Sequence, residues 1–60
     1  MTTTTMTTYL CTNGNNSSFT LEAIDERTAL IMAAWRFDDE ASYILPITVE
    51  SEDGDIASIH

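Results

Sequence analysis

Apolar and polar residues along the chain change period twice, from alternation to a helical spacing and back again. The stretch TTYLCT has the β-branched and aromatic content of a strand and runs into Asn13, Gly14, Asn15 and Asn16, residues that accept positive φ and so mark a turn. Beyond it, SSFTLEA alternates, with Phe19, Leu21 and Ala23 on one face. The two segments read as a hairpin. A three- or five-residue loop sets Tyr9 and Cys11 on the face of Phe19 and Leu21, whereas an even loop opposes them, so an odd loop is expected.

AIDERTALIMAAWRF carries the helical signal. Asp25 is a natural N-cap, Glu26 favours the positive end of the helix dipole, and Ala, Leu and Met fill the body. Ala29, Met32, Ala33 and Arg36 form one stripe, with Leu30, Ala34 and Phe37 beside it, while Ile31 and Trp35 share a neighbouring face with Thr28. A competing helix from Thr20, with Leu21, Ile24, Thr28, Ile31 and Trp35 in series, loses to the shorter one because Phe19, Leu21 and Ala23 alternate and Asp25 caps well.

After DDEA, SYILPITVE reads as a strand with Tyr43, Leu45, Ile47 and Val49 on one face. Pro46 has no N–H, which places this strand at a sheet edge or puts a bulge at the proline. If Glu52, Asp53 and Gly54 form a three-residue loop with Gly54 left-handed, Val49 falls opposite Ala57 and Ile47 opposite Ile59. That register matches apolar to apolar, so a bulged hairpin turn is expected. The order is ββαββ and the class α+β, a small antiparallel sheet with one helix packed on one face. Residues 1–6 read as a flexible Thr-rich N-terminus and residues 7–60 as a single α+β domain.

Size sharpens this picture. A chain of 60 residues buries only about 60% of the surface its unfolded form exposes, so stability is marginal and an oligomer or partner would add to it. With one cysteine, Cys11, and one histidine, His60, neither a disulfide nor a zinc site can be built within one chain. A lone cysteine and an N-terminus without a basic or apolar leader region point to a cytoplasmic protein. No apolar run approaches a membrane span, and no membrane partner is expected.

Charge is the most unusual global property: ten Asp and Glu stand against two Arg and no Lys, a formal net of −8. Such a field repels nucleic acid directly and favours basic protein partners. Solubility alone also explains it, since small domains commonly carry a net charge of magnitude ~2–8.

Specific chemistries can be set against spacing. Aligning Gly54 with the glycine of a calcium-binding helix–loop–helix puts Val49 and His60 at the first and last ligand positions, which rules that loop out. Cys11 lacks a base and an electropositive setting, so it reads as a small buried hydrophobe. Paired carboxylates need a pocket that separates their pKa values, for which so small a domain has little room. No phosphate-binding or zinc motif is present, and the expectation is a protein that is not an enzyme, with no cofactor and no metal.

The acids outside the helix start carry the functional expectation. Asp38, Asp39 and Glu40 follow the helix, where its dipole disfavours negative charge, so their placement works against local stability. If the turns bring them to one rim with Glu50, Glu52, Asp53 and Asp55, seven carboxylates share it. Glu50 and Glu52, as alternate strand residues, lie about 6.7 Å apart, comparable to two axial rises of a DNA strand at about 3.4 Å each. The leading expectation is therefore a small inhibitor or adaptor whose acidic rim occupies the basic, nucleic-acid-binding surface of a protein partner. By analogy of class and size, phage or mobile-element anti-defence proteins that mimic nucleic acid have this profile. The alternative is an assembly module forming a homodimer through Trp35, Phe37 and Tyr43, although in so small a chain these aromatics are expected first to pack the core.

Overall fold

In the computed structural model, which describes residues 5–60, five elements follow the expected order. They are β1 (Thr7–Thr12), β2 (Ser18–Ala23), α1 (Glu26–Asp39), β3 (Ile47–Ser51) and β4 (Ile56–Ile59). Of the expected flexible N-terminus, residues 1–4 lie outside the described residues, and Thr5 and Met6 are exposed. The strands form one antiparallel sheet in the order β2-β1-β3-β4, with α1 packed on one face. The protein is an α+β fold with one helix on a four-stranded sheet. Because β2 and β3 both flank β1, the chain passes from β2 through α1 and over β1 to reach β3.

Both hairpin registers follow from alternation. Tyr9 pairs with Leu21 and Cys11 with Phe19 across a loop from Asn13 to Ser17, the longer of the two expected odd loops. Val49 pairs with Ala57 and Ile47 with Ile59. Gly54 takes φ 94°, its N–H donates to the Ser51 carbonyl at 3.1 Å, and the Ser51 N–H donates to the Asp55 carbonyl at 2.9 Å. That is the bulged three-residue turn, which needs a glycine at its left-handed position.

The core lies between the inner sheet face and one side of α1: Tyr9, Cys11, Ala23, Ala29, Ala33, Phe37, Ile47 and Val49. Asp25 caps the helix, its carboxylate accepting from the Thr28 N–H at 2.7 Å. The buried helix stripe is Ala29, Ala33 and Phe37, whereas Met32 and Arg36, expected on it, are exposed. Alanines at 29 and 33 let the helix approach the sheet closely, and Phe37 is the one large helix side chain fully buried, with Leu30 half-buried against the core; Phe37 meets Phe19 edge-on with centroids 5.0 Å apart.

The helix also runs further than expected, taking in Asp38 and Asp39. It ends with Ala41 in the left-handed region at φ 56°, the Ser42 N–H donating to the Phe37 carbonyl and the Ala41 N–H to that of Asp38. This double hydrogen-bond closure satisfies the last helical carbonyls.

The segment before β3 corrects the expectation. The strand starts at Ile47, after Pro46, and it is interior, between β1 and β4, neither at an edge nor bulged at the proline. Tyr43, Ile44 and Leu45 are exposed loop residues. Pro46 has no N–H to give a ladder, and the carbonyls before it are engaged elsewhere: Ser42 accepts from Asn13 Nδ2 at 3.0 Å and Ile44 from the Gly14 N–H at 2.7 Å. Gly14 suits this close approach, since a Cβ there would collide with the Leu45 carbonyl.

Candidate functional site

Sheet register decides where the acids lie. Tyr9 pairs with both Leu21 and Ser51, so the start of β1, the end of β2, the end of β3 and the N-cap of α1 share one end of the molecule. The β1–β2 loop, the C-terminus of α1 and the start of β3 share the other, joined by the Asn13 and Gly14 hydrogen bonds. Asp38, Asp39 and Glu40 therefore stand apart from Glu50, Glu52, Asp53 and Asp55, separated by a 14-residue helix about 20 Å long at about 1.5 Å per residue. One rim of seven carboxylates does not form.

At the β3–β4 end, acids from two segments converge instead. The Tyr9 phenol is pushed above its ordinary value first by burial, then by the carboxylates of Glu26, Asp55, Asp25 and Asp53. Asp25 and Glu26 thus belong with the turn acids, although the sequence separates them widely. The N-cap assignment placed them next to the end of β2, but only the β1–β3 pairing, between segments far apart in the chain, reveals the neighbourhood.

Glu50 and Glu52 face the other way, onto the sheet surface not covered by α1. They border a shallow depression of about 230 Å³ together with Thr8, Leu10, Thr20 and Ser51. Glu22 shares this open face, because Phe19, Leu21 and Ala23 take the inward positions of β2. The acids thus wrap one end of the molecule from the helix N-terminus across the turn to the open sheet.

Compensating charge is sparse. The ion pair recorded among the described residues joins Arg36 Nε to Glu40 at 3.0 Å, one turn apart on α1, and Arg36 also lies over the Phe19 ring at 4.9 Å. Arg27 stands beside Asp25 and helps hold that carboxyl below its usual range, after the Thr28 hydrogen bonds. Glu40 is therefore a neutralised member of the second group, whereas Asp38 and Asp39 sit in the last helical turn against the dipole.

The aromatics separate cleanly. Phe37 is core and offers nothing to a partner, while Trp35 is 71% exposed and Tyr43 45% exposed, against the expectation that all three pack inside. The wide apolar arc of α1 outruns what one narrow sheet can cover. Cys11 is fully buried, its thiol pushed up to about 11 by desolvation. Among the described residues, no group of three or more His, Cys, Asp or Glu could hold a metal ion, and no helix is long and apolar enough to cross a membrane. No family model matches the chain, and no curated protein or solved structure matches it.

Proposed function

We propose that the protein is a small non-catalytic interaction protein, an inhibitor or adaptor that occupies the basic, nucleic-acid-binding surface of a protein partner. The observation that carries this reading is the convergence of Asp25, Glu26, Asp53 and Asp55 at one end, continuous with Glu50 and Glu52 on the open sheet. Like charges gathered from separate segments raise the energy of the free protein, and a partner's Arg and Lys relieve that cost on binding. Carboxylates accept charge-assisted hydrogen bonds from guanidinium and ammonium groups, which are stronger than neutral ones. The net charge of −8 steers such a partner in and turns nucleic acid away. Asp38, Asp39 and Glu40, at the far end, lie outside this contact.

Affinity capture from the native cell, followed by a salt series, tests the reading. The captured protein should carry a basic nucleic-acid-binding surface, leave the complex between about 0.15 and 1 M salt, and be displaced by DNA or RNA. A quadruple change, Glu50→Gln, Glu52→Gln, Asp53→Asn and Asp55→Asn, should abolish capture. A partner held equally well in molar salt, or by the quadruple variant, refutes it.

A further inference from the structure

The side of α1 that faces away from the sheet is built as two adjacent rows. Residues three and four apart are neighbours on a helix, so Arg27, Ile31, Ala34 and Asp38 form one row and Thr28, Met32, Trp35 and Asp39 the other. The buried residues Ala29, Ala33 and Phe37 occupy the opposite side, and the half-buried Leu30 and Ala34 pack against the core at the margin between the two. Ile31 is 47% exposed, Met32 38% and Trp35 71%, so the middle of this face is an apolar patch in water. Each row ends in an aspartate at the C-terminus, and the first begins with the cation Arg27.

We propose that this face binds a second copy of the chain, the two α1 helices lying antiparallel across a two-fold axis. A two-fold axis perpendicular to the plane of the two helices sets each row against its own reversed copy. Arg27 then meets Asp38 of the second copy, Thr28 meets Asp39, Met32 meets Trp35 and Ile31 meets Ala34. Arg27 and Asp38 find opposite charges, and every apolar position finds an apolar one. A parallel arrangement would set Asp38 against Asp39 at one end and leave both copies of Arg27 at the other, so charge complementarity selects the antiparallel one. It also gives Asp38, unfavourable at its own helix C-terminus, a cation.

The face is smaller than the roughly 800 Å² per partner of a standard interface, and the charge of −8 on each copy opposes association. The dimer is accordingly weak, with assembly expected at protein concentrations of about 10 μM to 1 mM at about 0.15 M salt.

Sedimentation equilibrium over that range reads it directly. The wild-type chain should shift from monomer to dimer, and Trp35→Ala should weaken association at least about tenfold. Arg27→Asp should weaken it by a similar factor. Asp38→Arg should also weaken it although it lowers the net negative charge, and the combined Arg27→Asp/Asp38→Arg chain should return to within about threefold of wild type. All three positions lie on the outer side of the helix, and circular dichroism verifies that each variant remains folded. A wild-type chain monomeric throughout, a strengthening by Asp38→Arg alone, or a double variant no better than the singles overturns the proposal. The partner-binding reading is tested separately, because its quadruple variant changes Glu50, Glu52, Asp53 and Asp55, none of which lies on this helix face.

Discussion

Asn13 makes three hydrogen bonds through one side chain, and its loss should be costly. The residue is 3% exposed. Its Oδ1 accepts from the N–H groups of Asn15 at 2.9 Å and Ser17 at 3.0 Å, which shapes the β1–β2 loop, and its Nδ2 donates to the Ser42 carbonyl at 3.0 Å, which moors the segment leading to β3. Asn13→Ala deletes all three bonds. A typical intramolecular hydrogen bond contributes about 1 kcal/mol net, and a polar group left unpaired in the interior costs about 1–3 kcal/mol. The loop amides belong to exposed residues and can turn to water, whereas Ser42 is half-buried. The loss should be about 2–3 kcal/mol, against a total of only about 3–5 kcal/mol for a domain of this size. With a urea slope near about 1 kcal/mol/M, the unfolding midpoint should fall by about 2–3 M. Asn13→Asp keeps both acceptor bonds but loses the donor and buries a carboxylate oxygen against the Ser42 carbonyl, so it should be at least as harmful as Asn13→Ala. Urea unfolding followed by circular dichroism measures all three. A midpoint shift below about 0.5 M for Asn13→Ala, or Asn13→Asp within about 0.5 M of wild type, would show that the mooring does not contribute as described.

Ala41 occupies the left-handed position that ends α1, at φ 56°. The Cβ penalty there is about 1–2 kcal/mol and glycine's added backbone entropy about 0.5–1 kcal/mol, so Ala41→Gly should stabilise by about 0.5–1 kcal/mol; a lower melting temperature would contradict this. The Cys11 thiol, buried and pushed up to about 11, should react with Ellman's reagent at about pH 8 only as fast as the domain opens, and rapidly in denaturant. Fast modification of the native protein refutes that. The Asp25 carboxyl is held low by the Thr28 N–H and hydroxyl, with Arg27 assisting. Its stabilisation is fully present above its unfolded value of about 3.9 and fades as pH falls through the lower folded value. An asparagine in its place would still cap the helix without titrating, so Asp25→Asn should flatten the acid limb of the stability curve, and an unchanged limb would count against the assignment.

How much of this was legible in the sequence depended on the range of the interaction. Alternation in Phe19–Leu21–Ala23 and in Ile47–Val49, with Gly54 at the turn, encodes both hairpin registers locally, since one shifted residue would turn the apolar set to water. Asp25 announces the helix start for the same reason: its partner is three residues away. The strand through Pro46 misled because Tyr43 and Leu45 alternate in phase with Ile47 and Val49, while what ends the strand is a set of hydrogen bonds from Asn13 and Gly14, about 30 residues earlier in the chain. Trp35 misled differently. Hydrophobicity reports what a residue gains from burial, not whether a four-stranded sheet is wide enough to supply it. The acidic end escaped because β1–β3 pairing, which brings Asp25 and Glu26 to Asp53 and Asp55, has no local signature.

The two proposed surfaces fit one layered design. Helix and sheet form the two layers, so pairing the outer faces of α1 would leave both open sheets, with Glu50 and Glu52, on the outside of the dimer. Two acidic faces on one such particle would convert the second contact with an extended basic surface into an intramolecular step, which would strengthen the proposed binding without any new type of contact. Salt should act on these surfaces in opposite senses. Screening relieves the repulsion within each chain of net charge −8 and between two copies, which favours folding and pairing, yet it weakens the attraction to a basic partner. At low salt the carboxylates strain the free protein most and, on the proposed reading, would hold a basic partner most tightly, so the charge that limits the stability of this small domain is the same charge proposed to give it affinity.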